Sequence, residues 1–381
     1  MHSFRIDGAH IYNNRTRSFS DISLAVSDGR FVSDSSFDAI GGYEGCWIIP
    51  GLIDLHSHGR AGENFARTTD ADSYAAMLRS YAMSGTTSIF ATIDSAPFEE
   101  MVSAAHMAER ASRFDEFGAS VTGIHFEGRF MNQLRRGAHK AELLRNPDCD
   151  ELNILLDACG DLPVRITFAP ELEGGHDFLR LALRRGARAG IGHSDCSYEQ
   201  AVEAVNLGAS FFCHTFNAMR PFTHREPGTA GAALTTNGYA ELICDGIHLH
   251  HASVKLAALA KSPDRIILIT DSNAAAGKGD GNYVLAGIAV IVKDGKAVNL
   301  EGAIAGSTLN LLDGLFNFCK FTNTPLEYAI PCATENPAVS MGLYDKIGSI
   351  DLGKRADFVV LAPDRRTPVA ICCAGRLEKI V

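Results

Sequence analysis

The sequence predicts an α/β chain: a (β/α)8 TIM barrel with a small β-sandwich domain built from both chain termini. Three observations predict it. Through the middle of the chain, short runs rich in Ile, Val, Phe and Thr alternate with Ala-rich stretches of helical period, the pattern of βα units on a parallel sheet. Eight such runs occur, the number that closes a barrel. Both ends instead alternate apolar and polar residues around Gly turns, the period of half-buried strands.

Taken in order, the N-terminal segment contains Asp21 to Ser33 (DISLAVSDGRFVS), where Asp28-Gly29 marks a hairpin bend. The barrel strands are expected at Trp47–Leu55, Thr86–Ile93, Ser120–Phe126, Val164–Ala169, Arg188–Ile191, Ala209–Cys213, Glu241–Cys244 and Arg265–Ile269. Ala71–Ser84 and Glu199–Leu207 show the helical period between them. A β insertion at Tyr283–Leu300, turning at Lys293 to Lys296, is expected to decorate the loop after the eighth strand. Strand texture returns at Gly348–Leu361 and Pro368–Val381. The expected division is therefore residues 1–46 plus 341–381 for the small domain and 47–340 for the barrel.

Composition narrows the function. With 381 residues, 46% hydrophobic and 21% charged, the chain is globular, and it is long enough to bury a core without disulfides or a structural metal. A metal here is therefore expected to serve chemistry. The 45 acidic residues outnumber 35 basic ones, which disfavours nucleic acid and anionic membranes as partners. Met1 to Arg15 lacks an apolar signal segment, and no run approaches the roughly 18 apolar residues of a membrane span. Ten scattered Cys with no C-x-x-C read as reduced thiols, so the expected location is cytoplasmic.

The chemistry-bearing residues fall at the carboxyl ends of the expected strands, where barrels build their sites. His56 and His58 are two apart on an extended segment, so both imidazoles point one way. Glu127, His193 and His214 add a carboxylate and two imidazoles, and a Glu with two His suits a catalytic divalent ion. A lone His is ordinarily a core or solvated residue; five together at strand ends point to a metal. Asp271, closing the eighth strand, suits general acid and base work, with a helix N-cap as the structural alternative. Asn217, Ala218 and Met219 open a turn with free N–H groups, and Arg225 follows. Together they suit an anion, unless Arg225 and Glu226 are only a surface ion pair.

These residues carry a resemblance. Pro50 to Asp54 with His56 and His58, Gly123–Gly128 (GIHFEG), Gly192-His193-Ser194, His214–Met219 (HTFNAM), His224–Gly228 (HREPG), Ile243–His248 (ICDGIH), Thr270-Asp271 and Ala305-Gly306-Ser307 closely resemble the N-acetylglucosamine-6-phosphate deacetylase family of the amidohydrolase superfamily. The resemblance spans nearly the whole chain. It implies metal-dependent hydrolysis of the N-acetyl amide of an amino sugar phosphate, releasing acetate. Glu127, His193 and His214 would hold one divalent ion, Zn, Fe or Mn, with His56 and His58 available for a second. Asp271 would be the acid and base, and His139 would sit near the substrate carbonyl. Ala138, Asn217, Ala218, Arg225, His248, Ile304, Ala305 and Gly306 would contact the sugar phosphate, Arg225 reaching across from the partner subunit of a homodimer. The fourth strand lacks the Lys that relatives such as dihydroorotase carboxylate, so Glu127 would take that place.

Two positions depart from the family pattern. Arg129 stands where Pro is usual, either as an outward side chain with a carboxylate neighbour or as a reader of an extra group on the acyl or sugar part. Ser272 replaces the usual Ala. Other substrates compatible with the residues are N-acetylgalactosamine 6-phosphate or another N-acyl amine. A non-catalytic sugar-phosphate sensor is the reading from another class, and the intact set Glu127, His193, His214 and Asp271 argues against it.

Overall fold

Eight parallel strands hydrogen-bond in chain order to form the barrel: β1 (Leu52–Ser57), β2 (Thr86–Asp94), β3 (Ser120–Glu127), β4 (Val164–Phe168), β5 (Arg188–Ile191), β6 (Phe211–Phe212), β7 (Tyr239–Ile243) and β8 (Ile266–Ile269). The computed structural model describes residues 3–33, 36–285 and 288–380. Residues 1–2, 34–35 and 381 of the expected terminal domain, and 286–287 of the expected insertion, lie outside them. All nine residues of β2 are buried, as expected for parallel strands covered on both faces. The barrel closes at the carboxyl ends of β1 and β8, where Asp271 N–H donates to His56 O at 2.8 Å and His58 N–H to Ser272 O at 2.7 Å.

Helices α1 (Ala71–Met83), α2 (Phe98–Ala111), α3 (Cys149–Ala158), α4 (Gly175–Arg184) and α5 (Tyr198–Asn206) cover the first five strands. Polar caps set the starts of three of them: Asp70 accepts from Ser73 N–H, Asp148 from Asp150 and Glu151, and Ser197 with Gln200 forms a capping box. Met77, Met101, Leu152, Leu155 and Phe178 bury the inner helix faces against Ile89, Ile124 and Ile166 of the sheet.

The termini form two sheets. Strands Arg376–Lys379, Pro368–Cys373, Phe358–Leu361, Trp47–Pro50, His10–Asn13 and Ser18–Asp21 pair in that order, and Phe4–Ile6, Leu24–Ser27 and Arg30–Val32 make the other sheet. Phe4, Ile6, Val26 and Phe31 share one core with Ile11, Ile48, Phe358 and Val360, which makes the pair a sandwich. The bend between Leu24–Ser27 and Arg30–Val32 is Asp28-Gly29, with φ of 49° and 74°, the positive pair a two-residue hairpin requires.

One expected element is corrected. Trp47–Leu55 is not a single strand: Trp47–Pro50 pairs with Phe358–Leu361 in the terminal sheet, and the barrel begins at Leu52. Gly51 is the switch point, because a Cβ there would overlap the Thr87 side chain and lie 2.9 Å from Asp357 Cβ. The insertion is present as a three-stranded antiparallel sheet, Gly281–Leu285, Ile288–Lys293 and Lys296–Asn299. All ten cysteines are unpaired. Among the described residues no helix is long and apolar enough to cross a membrane.

Candidate active site

The loops following the strands carry the polar cluster, and the backbone is bent sharply to present it. His193, His214 and Asp271, each just past a strand end, have φ of 46°, 29° and 49°. Such left-handed conformations in non-glycine residues gather at functional sites. Glu127 ends β3, and Gly128 follows because a Cβ there would lie 2.5 Å from Ser95 N.

Four imidazole Nε2 atoms converge on the Glu127 carboxylate. His214 and His193 lie 2.8 and 3.2 Å from Oε1, and His58 and His56 lie 3.0 and 3.3 Å from Oε2. Asp271 Oδ1 is 3.2 Å from His58 Nε2 and 3.5 Å from His56 Nε2. His139 stands slightly farther out, 3.8 Å from Glu127 Oε2. His193 Nδ1 donates to Arg135 O at 2.8 Å, which leaves its Nε2 lone pair facing the cluster.

Electrostatics bind this cluster together. Burial alone would raise Glu127, but His56 and the hydrogen bonds from His193 and His214 hold it well below the usual carboxylate range. Burial likewise opposes charge on His56, yet Glu127 and Cys213 pull it well above the usual imidazole value. His58 overcomes burial through Asp271 and Glu127 and reaches about 9. Asp271 is held down, against burial, by His56 and His58. His139 goes the other way: burial, then His193, lower it to about 3, so it is a neutral imidazole.

The donor set fits a divalent ion. Nε2 atoms of His193 and His214 are 3.0 Å apart, and those of His56 and His58 3.3 Å. Nitrogen lone pairs held that close repel unless a proton or cation lies among them. Buried carboxylates draw positive charge onto the same spot. The ligand atoms of His56, His58, Glu127 and Asp271 all lie within 4.8 Å of one another, as do those of Glu127, His139 and His193. Imidazole with carboxylate suits Zn, Fe or Mn chemically.

Above the cluster opens a cavity of about 600 Å³. Its walls include His58, Glu127, Ala138, His139, His193, His214, Asn217, Ala218, His248, Asp271, Ile304, Ala305 and Gly306. His56 lies beneath, fully buried. Asp245 fixes the ring of His248 through Nδ1 at 2.6 Å. Contrary to the expectation from sequence, Asn217 N–H is not free: it closes a turn onto His214 O at 2.9 Å. Arg225 is exposed and does not line this cavity, although His214, Asn217 and Ala218 on the same loop do.

Arg129 resolves between its two readings. Its Nε and Nη2 donate to Glu151 at 3.0 and 2.8 Å, and its guanidinium lies over Phe98. The carboxylate neighbour is therefore present, but the side chain is buried rather than outward, and it does not line the cavity. Ser272 Oγ lies 2.7 Å from Ser57 Oγ and donates to Gly59 O at 3.1 Å, tying β1 to the segment that carries Asp271.

Sequence reasoning missed Asn64, Arg67, Asp94, Lys140 and Asn273, all in the cavity wall. Asp94 ends β2 and accepts from Arg67 Nη1 at 3.0 Å; the strand-end argument that found Glu127 reaches it once β2 is extended by one residue. Asn64 sits in a two-residue strand paired with Gly59–Arg60, too short to show a period, and Arg67 and Lys140 sit on irregular loops, where no periodicity reports direction.

The sequence pattern of the amidohydrolase family matches residues 47–379. N-acetylglucosamine-6-phosphate deacetylase of Bacillus subtilis (strain 168) is 36% identical over 331 residues, 85% of this chain and 83% of that protein. N-acetylgalactosamine-6-phosphate deacetylase of Escherichia coli O157:H7 is 34% identical, covering 82% and 83%. A mutant N-acetyl-D-glucosamine-6-phosphate deacetylase from Mycobacterium smegmatis, solved in complex with N-acetyl-D-glucosamine-6-phosphate, superposes with a TM-score of 0.89 at 30% identity over 98% of each chain. The chain belongs to the amidohydrolase family and, within it, to the group of N-acetylglucosamine-6-phosphate deacetylases.

Proposed function

We propose that the protein hydrolyses the N-acetyl amide of N-acetylglucosamine 6-phosphate, giving glucosamine 6-phosphate and acetate. One observation carries the reading: Glu127, four imidazoles and Asp271 converge at the floor of a substrate-sized cavity, in a chain of this family. We assign Glu127, His193 and His214 to one divalent ion and His56 with His58 to a second, Zn being the first choice for identity. When bound, such an ion supplies Lewis acidity toward water and carbonyl oxygen.

The remaining work belongs to the side chains. Asp271, whose Oδ1 lies 3.2 Å from His58 Nε2 at the cluster, takes the proton of the water that attacks the amide carbon, then delivers it to the departing nitrogen. Neutral His139 presents an N–H to the carbonyl oxygen as negative charge builds there. Ala218 N–H, which has no partner among the described residues, and His248 in the same cavity wall take the phosphate. Asn217 lines the same cavity, and Ile304 to Gly306 flank the sugar. Arg225 completes the anion site from the second subunit of a homodimer. All ten thiols are unpaired, which suits a reducing compartment, and we place the enzyme in the cytoplasm.

Acetate release is the test, from N-acetylglucosamine 6-phosphate and its galacto epimer, with protein reconstituted separately with Zn, Fe and Mn. The expected outcome is turnover of the gluco epimer, lost by about 10²- to 10⁴-fold in Asp271→Asn. Preference for the galacto epimer would move the assignment to the chemistry of the Escherichia coli relative, and silence on both would overturn the substrate.

A further inference from the structure

Beneath the cluster, the barrel interior holds a second polar layer that no step above uses. Glu241 of β7 and Arg165 of β4 are paired there with essentially no exposure. These strands are not neighbours in the sheet, so the pair spans the interior. The Arg165 guanidinium stacks 3.9 Å from the Phe211 ring centroid. One Glu241 oxygen, Oε1, is satisfied by Arg165 Nη2. The other, Oε2, is buried with no hydrogen-bond partner among the described residues.

That unsatisfied oxygen faces His56 Nδ1 at 3.9 Å. His56 Nδ1 otherwise meets only the Cys213 thiol, at 3.4 Å, a weak partner. Its Nε2 looks the other way, to Glu127 and Asp271. A buried carboxylate oxygen without a donor is costly. A histidine that ligates through Nε2 typically gives its Nδ1 hydrogen to a carboxylate, which fixes ring orientation and raises basicity. An approach of about 1 Å between ring and carboxylate makes this bond.

We propose that Glu241, anchored by Arg165, is the positioning residue for His56, holding its ring in the orientation that would ligate the second divalent ion already assigned to His56 and His58. This rests on the metal assignment above but not on the substrate. Glu241 touches neither substrate nor reacting atoms; it acts by holding the His56 ring in the ligating orientation. Among the described residues the Glu241 side chain makes no hydrogen bond or ion pair with Glu127, His193 or His214, so the first ion is expected to be independent of it.

The experiment is equilibrium dialysis of the whole chain against Zn, and separately Co, with metal counted by mass spectrometry and the Co visible spectrum recorded. Wild type is expected to hold two ions per chain. Glu241→Gln is expected to keep the first ion unchanged and to weaken the second by about 10- to 100-fold, with a matching change in the Co spectrum. Because Glu241→Gln risks misfolding, the pair Arg165→Met with Glu241→Leu serves as a second variant, since apolar replacement of a buried ion pair is often tolerated. It too should lose the second ion first. A single ion in wild type, or a folded variant holding both ions with unchanged affinity, overturns the proposal. Neither result bears on whether acetate is released, so the substrate reading stands or falls separately.

Discussion

At the scale of single residues, the site separates groups that must stay charged from one that must not. Asp271 is ionised because two imidazoles outweigh its burial, whereas His139, only 3.8 Å from Glu127, is neutral because burial and His193 act in the same direction. His139→Ala should therefore lower kcat about 10²- to 10³-fold, the usual cost of one donor to a developing oxyanion. Steady-state acetate release with KM measured alongside checks this, because loss confined to KM would make His139 a binding group instead. Asn at position 271 is the suitable blank, since the backbone there has φ of 49° and Asn tolerates that region better than Ala. Arg129 gives the contrasting case. It pairs with Glu151 and covers Phe98, so Arg129→Met should cost about 1–3 kcal/mol of stability while leaving the preference among N-acyl groups unchanged. Urea unfolding beside a panel of N-acetyl and N-glycolyl substrates separates the two effects.

At the scale of elements, strand ends were legible and strand partners were not. Apolar runs located all eight barrel strands, because parallel strands covered on both faces leave an unbroken buried signature, and that placed Glu127, His193, His214 and Asp271 on one rim. Trp47–Pro50 carries the same signature yet pairs with Phe358–Leu361, over three hundred residues away, and its apolar residues do not distinguish it from Leu52–Ser57. Gly51 is the physical marker of the switch, since the backbone there presses against Thr87 and Asp357. Gly51→Ala should destabilise the protein by about 1–3 kcal/mol, as overpacking does in a filled core. Thermal unfolding reads it, and an unchanged Tm would mean the two sheets separate more easily than their packing indicates. The Arg165 and Glu241 pair was equally invisible, because an interior contact between β4 and β7 depends on barrel closure rather than on any local pattern. Sequence reading found Arg129 but not its partner Glu151, which lies one helix onward on α3.

At the scale of the whole molecule, the proposed phosphate site is the part of the cavity with the fewest charged partners among the described residues. His248 and the free Ala218 N–H line it, but no Arg or Lys side chain from the loops after β6 and β7 reaches its wall. The cations that do line it, Arg67 and Lys140, come from the loops after β1 and β3. Arg225, by contrast, extends into solvent beside exposed Phe222 and His224. A dianionic phosphate gains most from a guanidinium fork, and two-fold symmetry lets one loop serve the other subunit's site. Mixing two inactive proteins decides whether it does. Arg225→Ala should lose phosphate binding, and Asp271→Asn should lose chemistry. In a heterodimer, the site with intact Asp271 receives an intact Arg225 from its partner, while the other site lacks both. Random reassociation makes half the dimers mixed, so specific activity should recover to about a quarter of wild type for a two-fold dimer. If Arg225 acts within its own chain, each site in the mixture keeps its own defect and no activity returns.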